Sequence, residues 1–494
     1  MFAGISAGFH DAGLSIVGDN GDILFASHSE RYTKVKSDDS IGRSLVKLMD
    51  QYDITHLAYY ERPWAKQLRQ LYAGQQVDWH QLTVRQALTK QLGTWANEFT
   101  GPMTSYSHHL SHAAAGFQTS NFSKATVVVI DAVGEFDTIS IYAAEYNTRG
   151  VAAYKKLWGQ RYPHSIGLMY SAMTAEVGLQ PLDEEYILMG MAAYGSAEYK
   201  ELFANELIAS SDSIKFKKNL HAGLDGEFNS RITTFDIAAS AQALAEQLIY
   251  RVMSIAANFG YSSNLVYMGG VALNCLANRN LGKYFDNVWI MPSPGDAGSS
   301  LGAAALAYGK KLNWQGPYLG HLIPGQYPVT AAIDQLLTRR IVGVASGRAE
   351  FGPRALGNRS LLADPRGDDI KRMVNSIKQR QQFRPFAPVI LEEHVADYFD
   401  MPDNLPVSPY MQVVAKCRSP ELFPAIVHYD GTSRVQTVSE DSRSGIRLLL
   451  EEWFRITGCP MLLNTSLNIR GEPMVNDAAD ARRFEYHYGV KVCV

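Results

Sequence analysis

Ala125-Thr126-Val127-Val128-Val129-Ile130, ending at Asp131, is almost entirely β-branched and predicts a strand that delivers a carboxylate at its end. Further along, Asn264-Leu265-Val266-Tyr267-Met268 runs into Gly269-Gly270, and Asn287-Val288-Trp289-Ile290-Met291 runs into Pro292. At the N-terminus, Gly4-Ile5-Ser6-Ala7-Gly8 leads through His10-Asp11 to a second strand, Leu14–Val17. Asn20-Gly21 then marks a hairpin turn, since both residues accept positive φ, and Asp22–Ser27 makes the third strand. Helical stretches at 165–178, 234–259 and 298–309 lie between the strands. Strands alternating with helices predict an α/β fold. In such a fold functional groups gather beyond the strand ends, where loops meet at a crevice.

A chain of 494 residues exceeds what one core organises and implies two to four domains, at ~100–200 residues each. Its 46% apolar and 19% charged residues exclude a disordered or fibrous chain. Lys+Arg of 46 against Asp+Glu of 49, a net charge of -3, gives no simple argument for nucleic-acid binding. MFAGISAGFHDAG lacks a basic leader, and no apolar run reaches the ~18 residues of a membrane span. Cys275, Cys417, Cys459 and Cys493 are far apart, as suits reduced thiols. A soluble, cytoplasmic protein without membrane partners is expected. The Gly/Pro-rich text around 312–330 suggests a boundary, giving domains 1–320 and 330–494.

Residues 348–384 hold nine Lys/Arg against four acids, a net +5. The arginines sit among Gly, Pro and Phe, as in Gly352-Pro353-Arg354 and Phe383-Arg384-Pro385-Phe386. This predicts fixed guanidinium groups aimed at a small anionic substrate.

His108 and His112 in Ser107-His108-His109-Leu110-Ser111-His112 are four apart, so on a helix both rings share a face and suit a divalent metal. Asp131 and Asp296 are carboxylates placed to complete the site, with His109 spare. Two His and two Asp favour Fe, Mn or Zn over Cu(I), since no thiolate is present. The spacing alone equally fits a capped helix with surface histidines. Gly269-Gly270-Val271-Ala272-Leu273-Asn274 and Gly295-Asp296-Ala297-Gly298 are turns that could bring backbone N–H groups to a nucleotide.

Together with Asp131-x-x-Gly134-Glu135 and Met189-Gly190-x-Ala192-Ala193-Tyr194-Gly195, these motifs resemble the NodU/CmcH family of O-carbamoyltransferases. The C-terminal half adds Gly347-Arg348-x-Glu350-x-Gly352-Pro353-Arg354-Ala355-Leu356-Gly357-Asn358-Arg359-Ser360 and Arg384-Pro385-Phe386-Ala387-Pro388. It also carries His428-x-Asp430-Gly431-Thr432-x-Arg434-x-Gln436 and Asn464-Thr465-Ser466-x-Asn468-x-x-Gly471-Glu472-Pro473. The matches run in order along essentially the whole chain.

The resemblance implies an N-terminal actin/Hsp70-type ATPase-like domain, in the version used by tRNA threonylcarbamoyl transferases, and a C-terminal YrdC-like α/β domain. Carbamoyl phosphate and ATP would give carbamoyl adenylate and pyrophosphate, with Mg accompanying ATP. The carbamoyl group would then pass to an acceptor hydroxyl. By the same resemblance His108, His112, Asp131 and Asp296 would hold a metal, iron first. Lys378, Arg384, Arg434 and Asn464 would hold carbamoyl phosphate and the adenylate phosphate. Gly269, Gly270 and Asn274 would contact nucleotide. His10, as a neutral imidazole, would accept the acceptor hydroxyl's proton.

Two departures stand out: Ile187 replaces a family lysine, and Ala132 replaces a glycine, a mild change if its φ is negative. A second reading is carbamoylation of a nucleic-acid base or a hydroxymethylpyrimidine. It would need a basic, aromatic-bearing surface, for which 62–98 offers Arg62, Lys66, Arg69, Arg85 and Lys90 with Trp64, Tyr72 and Trp79. A third is a catalytically dead ATP-binding scaffold, which the retained anion-binding and metal residues disfavour. The acceptor itself, a small alcohol, a sugar or a hydroxymethyl group, is not specified by any motif.

Overall fold

The computed structural model describes residues 1–494 except 211, 212, 225, 229–231, 368, 382 and 385. Asp368 of the basic segment and Pro385 of the Arg384–Pro388 motif thus lie outside the described residues. Two compact units form: Met1–Leu24 with Asp39–Trp314, and Phe25–Asp38 with Gln315–Val494. The linear division 1–320 and 330–494 misses this exchange. Residues 25–38 belong to the second unit because Arg31, fully buried, donates to the Gly352 carbonyl at 3.0 Å, and Lys34 pairs with Asp480.

In the first unit, one sheet has the order β2-β1-β4-β5: Phe2–Ser6 (β1), Gly13–Val17 (β2), His56–Tyr59 (β4) and Met103–Ser105 (β5); Ile23–His28 (β3) starts in this unit and runs on into residues of the second. β1 pairs antiparallel with β2 and parallel with β4. Of the Asn20-Gly21 pair only Gly21 takes positive φ, at 87°. The other sheet has the order β10-β9-β6-β7-β8: Lys124–Gly134 (β6), Asp137–Tyr146 (β7), Ala152–Arg161 (β8), Asn264–Met268 (β9) and Asn287–Trp289 (β10). β9 lies parallel between β10 and β6 and is buried from Leu265 to Met268.

Helix His108–Thr119 packs on β6 and β9, helix Asp296–Tyr308 packs on β1 and β2, and the two helices pack on each other. The second is buried from Asp296 to Ala305, and its Gly, Ala and Ser positions permit close approach on all sides. Each of these helices begins with a ligand candidate. β6 runs beyond the expected Ile130 to Gly134, with a register shift between those residues, so Asp131 sits in an irregular stretch and not after the strand. Such irregularities re-aim side chains.

The second unit holds an eight-stranded mixed sheet whose strands run, in spatial order, Phe399–Asp400, Val413–Cys417, Thr432–Val438, Ala387–Leu391, Met461–Ser466, Arg359–Ala363, Ile341–Ala345 and Val492–Cys493. The strands that matter here are Ile341–Ala345 (β12), Arg359–Ala363 (β14), Ala387–Leu391 (β15), Thr432–Val438 (β18) and Met461–Ser466 (β19). Alternation divides its apolar residues between two cores. Val342, Val344, Leu362, Val389 and Leu462 meet helices Val329–Arg339 and Ile446–Thr457; Ile341, Leu361, Ile390, Met461 and Leu463 meet Asp369–Ile377 and Ala478–Tyr488. All four cysteines are buried thiols outside any disulfide. Among the described residues no helix is long and apolar enough to cross a membrane.

Candidate functional site

One ligating atom from each of His108, His112, Asp131 and Asp296 falls within 4.8 Å of every other, and all four residues are buried. His108 Nε2 lies 3.0 Å from His112 Nε2, 3.1 Å from Asp131 Oδ2 and 3.4 Å from Asp296 Oδ1. His112 Nε2 lies 3.6 and 3.3 Å from the same oxygens. The surface-histidine alternative is therefore wrong, because the helix turns these rings inward between two sheets. His112 Nδ1–H donates to the Pro294 carbonyl at 3.1 Å, which frees its Nε2 lone pair for the cluster. Among the described residues Asp296 Oδ1 makes no well-formed hydrogen bond despite its burial. Four converging donors, one of them orphaned, fit a divalent cation.

The electrostatics describe the same site. Burial disfavours charge on His108, yet Asp296 and Asp131 outweigh it and lift the imidazole well above its ordinary pKa. His112 is raised by the same two carboxylates, while against the burial penalty His108 and His112 hold Asp131, and His108 and His10 hold Asp296, below the carboxylate range. These shifts favour a proton where a cation would otherwise sit. His109 bonds Ser140 Oγ at 2.8 Å, and burial keeps it neutral, as a spare should be.

His10 Nδ1 pairs with Asp11 Oδ2 at 3.0 Å. Burial lowers its pKa, but Asp296, Asp11 and Asp131 outweigh that and lift it to about 9. The neutral imidazole expected there thus needs a compensating charge on Asp131 and Asp296, which a bound cation would supply.

The glycine turn has a local task. Gly269 has φ of +91°, and a Cβ there would stand 2.2 Å from the Ile130 carbonyl oxygen. Gly270 N–H donates to Asp131 Oδ1 at 3.1 Å, fixing that carboxylate. The Asn274 amide exchanges two 3.0 Å hydrogen bonds with Gln242 and caps Ala277 N–H at 3.1 Å, so this side chain is engaged inside the protein. Gly134 explains its motif: a Cβ would meet His108 Cδ2 at 2.4 Å and His109 Cδ2 at 2.7 Å. Ala132 is absent from the positive-φ residues and is tolerated. Ile187 is buried.

Sequence reasoning missed Glu61 and gave Lys66 only to a candidate basic surface. Glu61 follows β4 as Asp131 follows the apolar core of β6, and that signal could have found it. Both are buried; Lys66 Nζ donates to Glu61 Oε1 at 2.7 Å and to the Gly8 carbonyl at 2.8 Å. Arg62 pairs with Glu135, Arg69 with Gln75, and Arg85 donates to the Ala96 carbonyl. Segment 62–98 therefore turns Arg62, Lys66 and Arg69 to internal partners while Trp64, Tyr72 and Trp79 stay exposed. Arg85 and Lys90 are exposed in the same segment as those aromatics.

In the second unit, Asn464 on β19 donates to Gln436 Oε1 at 2.8 Å and to the Ala355 carbonyl at 3.0 Å, and its own Oδ1 is buried with no partner among the described residues. Gln436 and Arg434 stand two apart on β18, hence on one face. Lys378 Nζ reaches the Ser466 carbonyl at 2.7 Å, two residues beyond Asn464, and also the Asn468 side chain. Burial, then Arg380 and Arg384, hold the Lys378 pKa well below its ordinary value. The hallmark loop is tied down by Glu350 Oε1, which accepts from Leu356, Asn358 and Arg359 N–H at 2.8, 2.9 and 3.1 Å. Not every arginine of the basic segment aims at a ligand. Arg359 is fully buried and spends its guanidinium on the carbonyls of Ser346, Asn358, His321, Gly347 and Asn476, and Arg366 pairs with Asp364.

Each α/β unit thus holds a buried polar centre. The chain belongs to the carbamoyltransferases: residues 1–305 match the carbamoyltransferase N-terminus and 333–494 the carbamoyltransferase C-terminus. It is similar to nodulation protein NolNO of Sinorhizobium fredii, with 30% identity over 96% of this chain and 76% of that one. Nodulation protein NolO of Bradyrhizobium diazoefficiens is 32% identical over 76% of this chain and 75% of its own. An uncharacterized protein of Synechocystis is 33% identical over 97% and 93%. Among solved structures, full-length HypF in the phosphate- and nucleotide-bound form aligns over 62% of this chain and 55% of that chain, at 14% identity and a TM-score of 0.35.

Proposed function

We propose that this carbamoyltransferase is ATP-dependent and transfers its carbamoyl group to an alcohol. Carbamoyl phosphate and water would give carbamate and phosphate. A carbamate oxygen would attack the α-phosphorus of ATP, forming carbamoyl adenylate and releasing pyrophosphate. The acceptor hydroxyl oxygen would then attack the carbamoyl carbon, its proton leaving to a base and AMP departing with the bonding pair.

The observation that carries this reading is the polar set around the ends of β18 and β19. Lys378 is buried there at a depressed pKa, and Asn464 holds out an oxygen with no partner among the described residues. Lys378, Arg384 and Arg434 would stabilise the charge of the phosphoryl donor and of departing pyrophosphate, and Asn464 would orient the carbamoyl amide. A YrdC-like role for 330–494 and an ATPase-like role for 1–320 accord with it. In the first unit, His108, His112, Asp131 and Asp296 would hold a divalent ion, iron by family resemblance, which when bound supplies Lewis-acid stabilisation of an oxyanion. Gly269 and Gly270 would offer backbone to nucleotide, with Mg accompanying ATP, and His10 would accept the acceptor proton. ATP–pyrophosphate exchange that depends on carbamoyl phosphate tests the reading; exchange without it, or none at all, refutes it. Carbamoyl additions detected by mass spectrometry across sugars, small alcohols and hydroxymethylpyrimidines would then name the acceptor.

A further inference from the structure

The two histidines of the cluster are not held alike. Both aim Nε2 at the shared point, so in the neutral ring the proton must sit on Nδ1. His112 Nδ1–H has the Pro294 carbonyl at 3.1 Å. His108 Nδ1 is buried and has no hydrogen-bond partner among the described residues. The group facing it is Glu61, whose Oε2 lies 3.9 Å away. The other oxygen of that carboxylate is fixed by Lys66 Nζ at 2.7 Å, and Lys66 is in turn fixed on the Gly8 carbonyl at 2.8 Å. A buried N–H rarely goes unsatisfied, and a buried carboxylate with one oxygen engaged has acceptor capacity to spare.

We propose that Glu61 is a positioning residue that accepts His108 Nδ1–H and so holds the imidazole in the tautomer and orientation that ligate a metal, with Lys66 anchoring the carboxylate. The inference rests on reading His108, His112, Asp131 and Asp296 as a metal centre. Closing the 3.9 Å gap to hydrogen-bond distance takes a shift of roughly 1 Å, within the reach of a carboxylate pivoting on its other oxygen. Lys66 also joins Glu61 to the Gly8–Asp11 turn, so one buried link spans from a metal ligand to the turn that carries His10.

Co²⁺ is a suitable probe, its affinity read by chelator competition on the full chain and its coordination by visible absorption. Glu61→Ala should weaken Co²⁺ binding by ~10–100-fold, the usual cost of removing an outer partner of a ligating histidine. Glu61→Gln keeps an acceptor oxygen and should lose less. A folded Glu61→Ala that binds Co²⁺ like wild type overturns the inference, as does an equal loss in the Gln and Ala variants. Should Glu61→Ala fail to fold because Lys66 is left buried and unpaired, Glu61→Leu with Lys66→Met removes the pair together and reads the same affinity. Wild-type affinity in that double variant is equally fatal. The metal reading fails separately: a wild-type chain that binds no Co²⁺, or a His112→Ala chain that binds it undiminished, sinks the centre and this inference with it.

Discussion

His108 Nε2 and His112 Nε2 stand 3.0 Å apart, one helical turn separating their backbones. Two neutral rings with Nδ1 protonated would aim lone pairs at each other across that gap. A proton or a cation must lie between them, and the adjoining carboxylates of Asp131 and Asp296 favour either one. The same geometry serves an imidazolium–imidazole pair sharing one proton without metal and a ligand pair with it, so metal binding here displaces that proton.

Removing one ring should empty the centre. His112→Ala should lower bound transition metal from about one ion per chain to near none, and carbamoyl transfer should disappear with it. Elemental analysis of the purified variant checks this; full occupancy would remove His112 from the ligand set.

Gly134→Ala tests the same centre through packing. The new methyl would press on the His108 and His109 rings at 2.4 and 2.7 Å, distances that force one of them to move. Destabilisation of ~1–3 kcal/mol and loss of metal are expected. Thermal melts and metal analysis that match wild type would show that the rings have room to yield.

His10→Asn should separate the half-reactions. Acceptor carbamoylation should slow by ~10²–10⁴-fold, the usual worth of a positioned base, while pyrophosphate release persists. Equal losses in both would take His10 off the acceptor side.

Arg434→Ala probes the other unit. Loss of one charge-assisted contact, ~1.5–3 kcal/mol, should reduce carbamoyl phosphate-dependent pyrophosphate release roughly ten- to a hundred-fold. Circular dichroism should be unchanged, because Arg434 is only half-buried on β18. A folded variant that releases pyrophosphate at the wild-type rate would place the first half-reaction elsewhere.

His428 predicts a pH dependence of stability. Its Nδ1 meets Thr432 Oγ1 at 3.0 Å, and burial, with help from Arg434 and Lys371, lowers its pKa to about 4 despite Asp430. An unfolded histidine titrates at about 6.5. Between those values the unfolded chain binds more protons, so this group's stability contribution is whole above pH 6.5 and is lost as pH falls towards 4. Denaturant melts of wild type and His428→Gln across this range check it; the variant should show the shallower acid loss, and parallel slopes would assign the loss to other groups.

How much of this was readable in advance depended on the range of the interactions. Asn264–Met268 coincides with its strand and 234–259 almost with its helix, because local periodicity and β-branching are decided by neighbours in the chain. His108 and His112 share a helix face by spacing alone, and ordered motifs identified the family. Spacing left open whether those rings face water or Asp131, 23 and 19 residues away in the chain; packing between the two sheets decided it. The basic count of 348–384 was likewise real but chemically mute. Only the tertiary structure spends Arg359 on backbone carbonyls and keeps Lys378 beside Ser466. Residues 25–38 joined the second unit through Arg31 and Gly352, a pairing across 321 positions that no local pattern encodes. Sequence by itself determined which side chains could ligate, bind anions or form strands, since those are properties of residue type and spacing. Burial, tautomer and partner depend on what lies across the core, and these the tertiary structure alone decided.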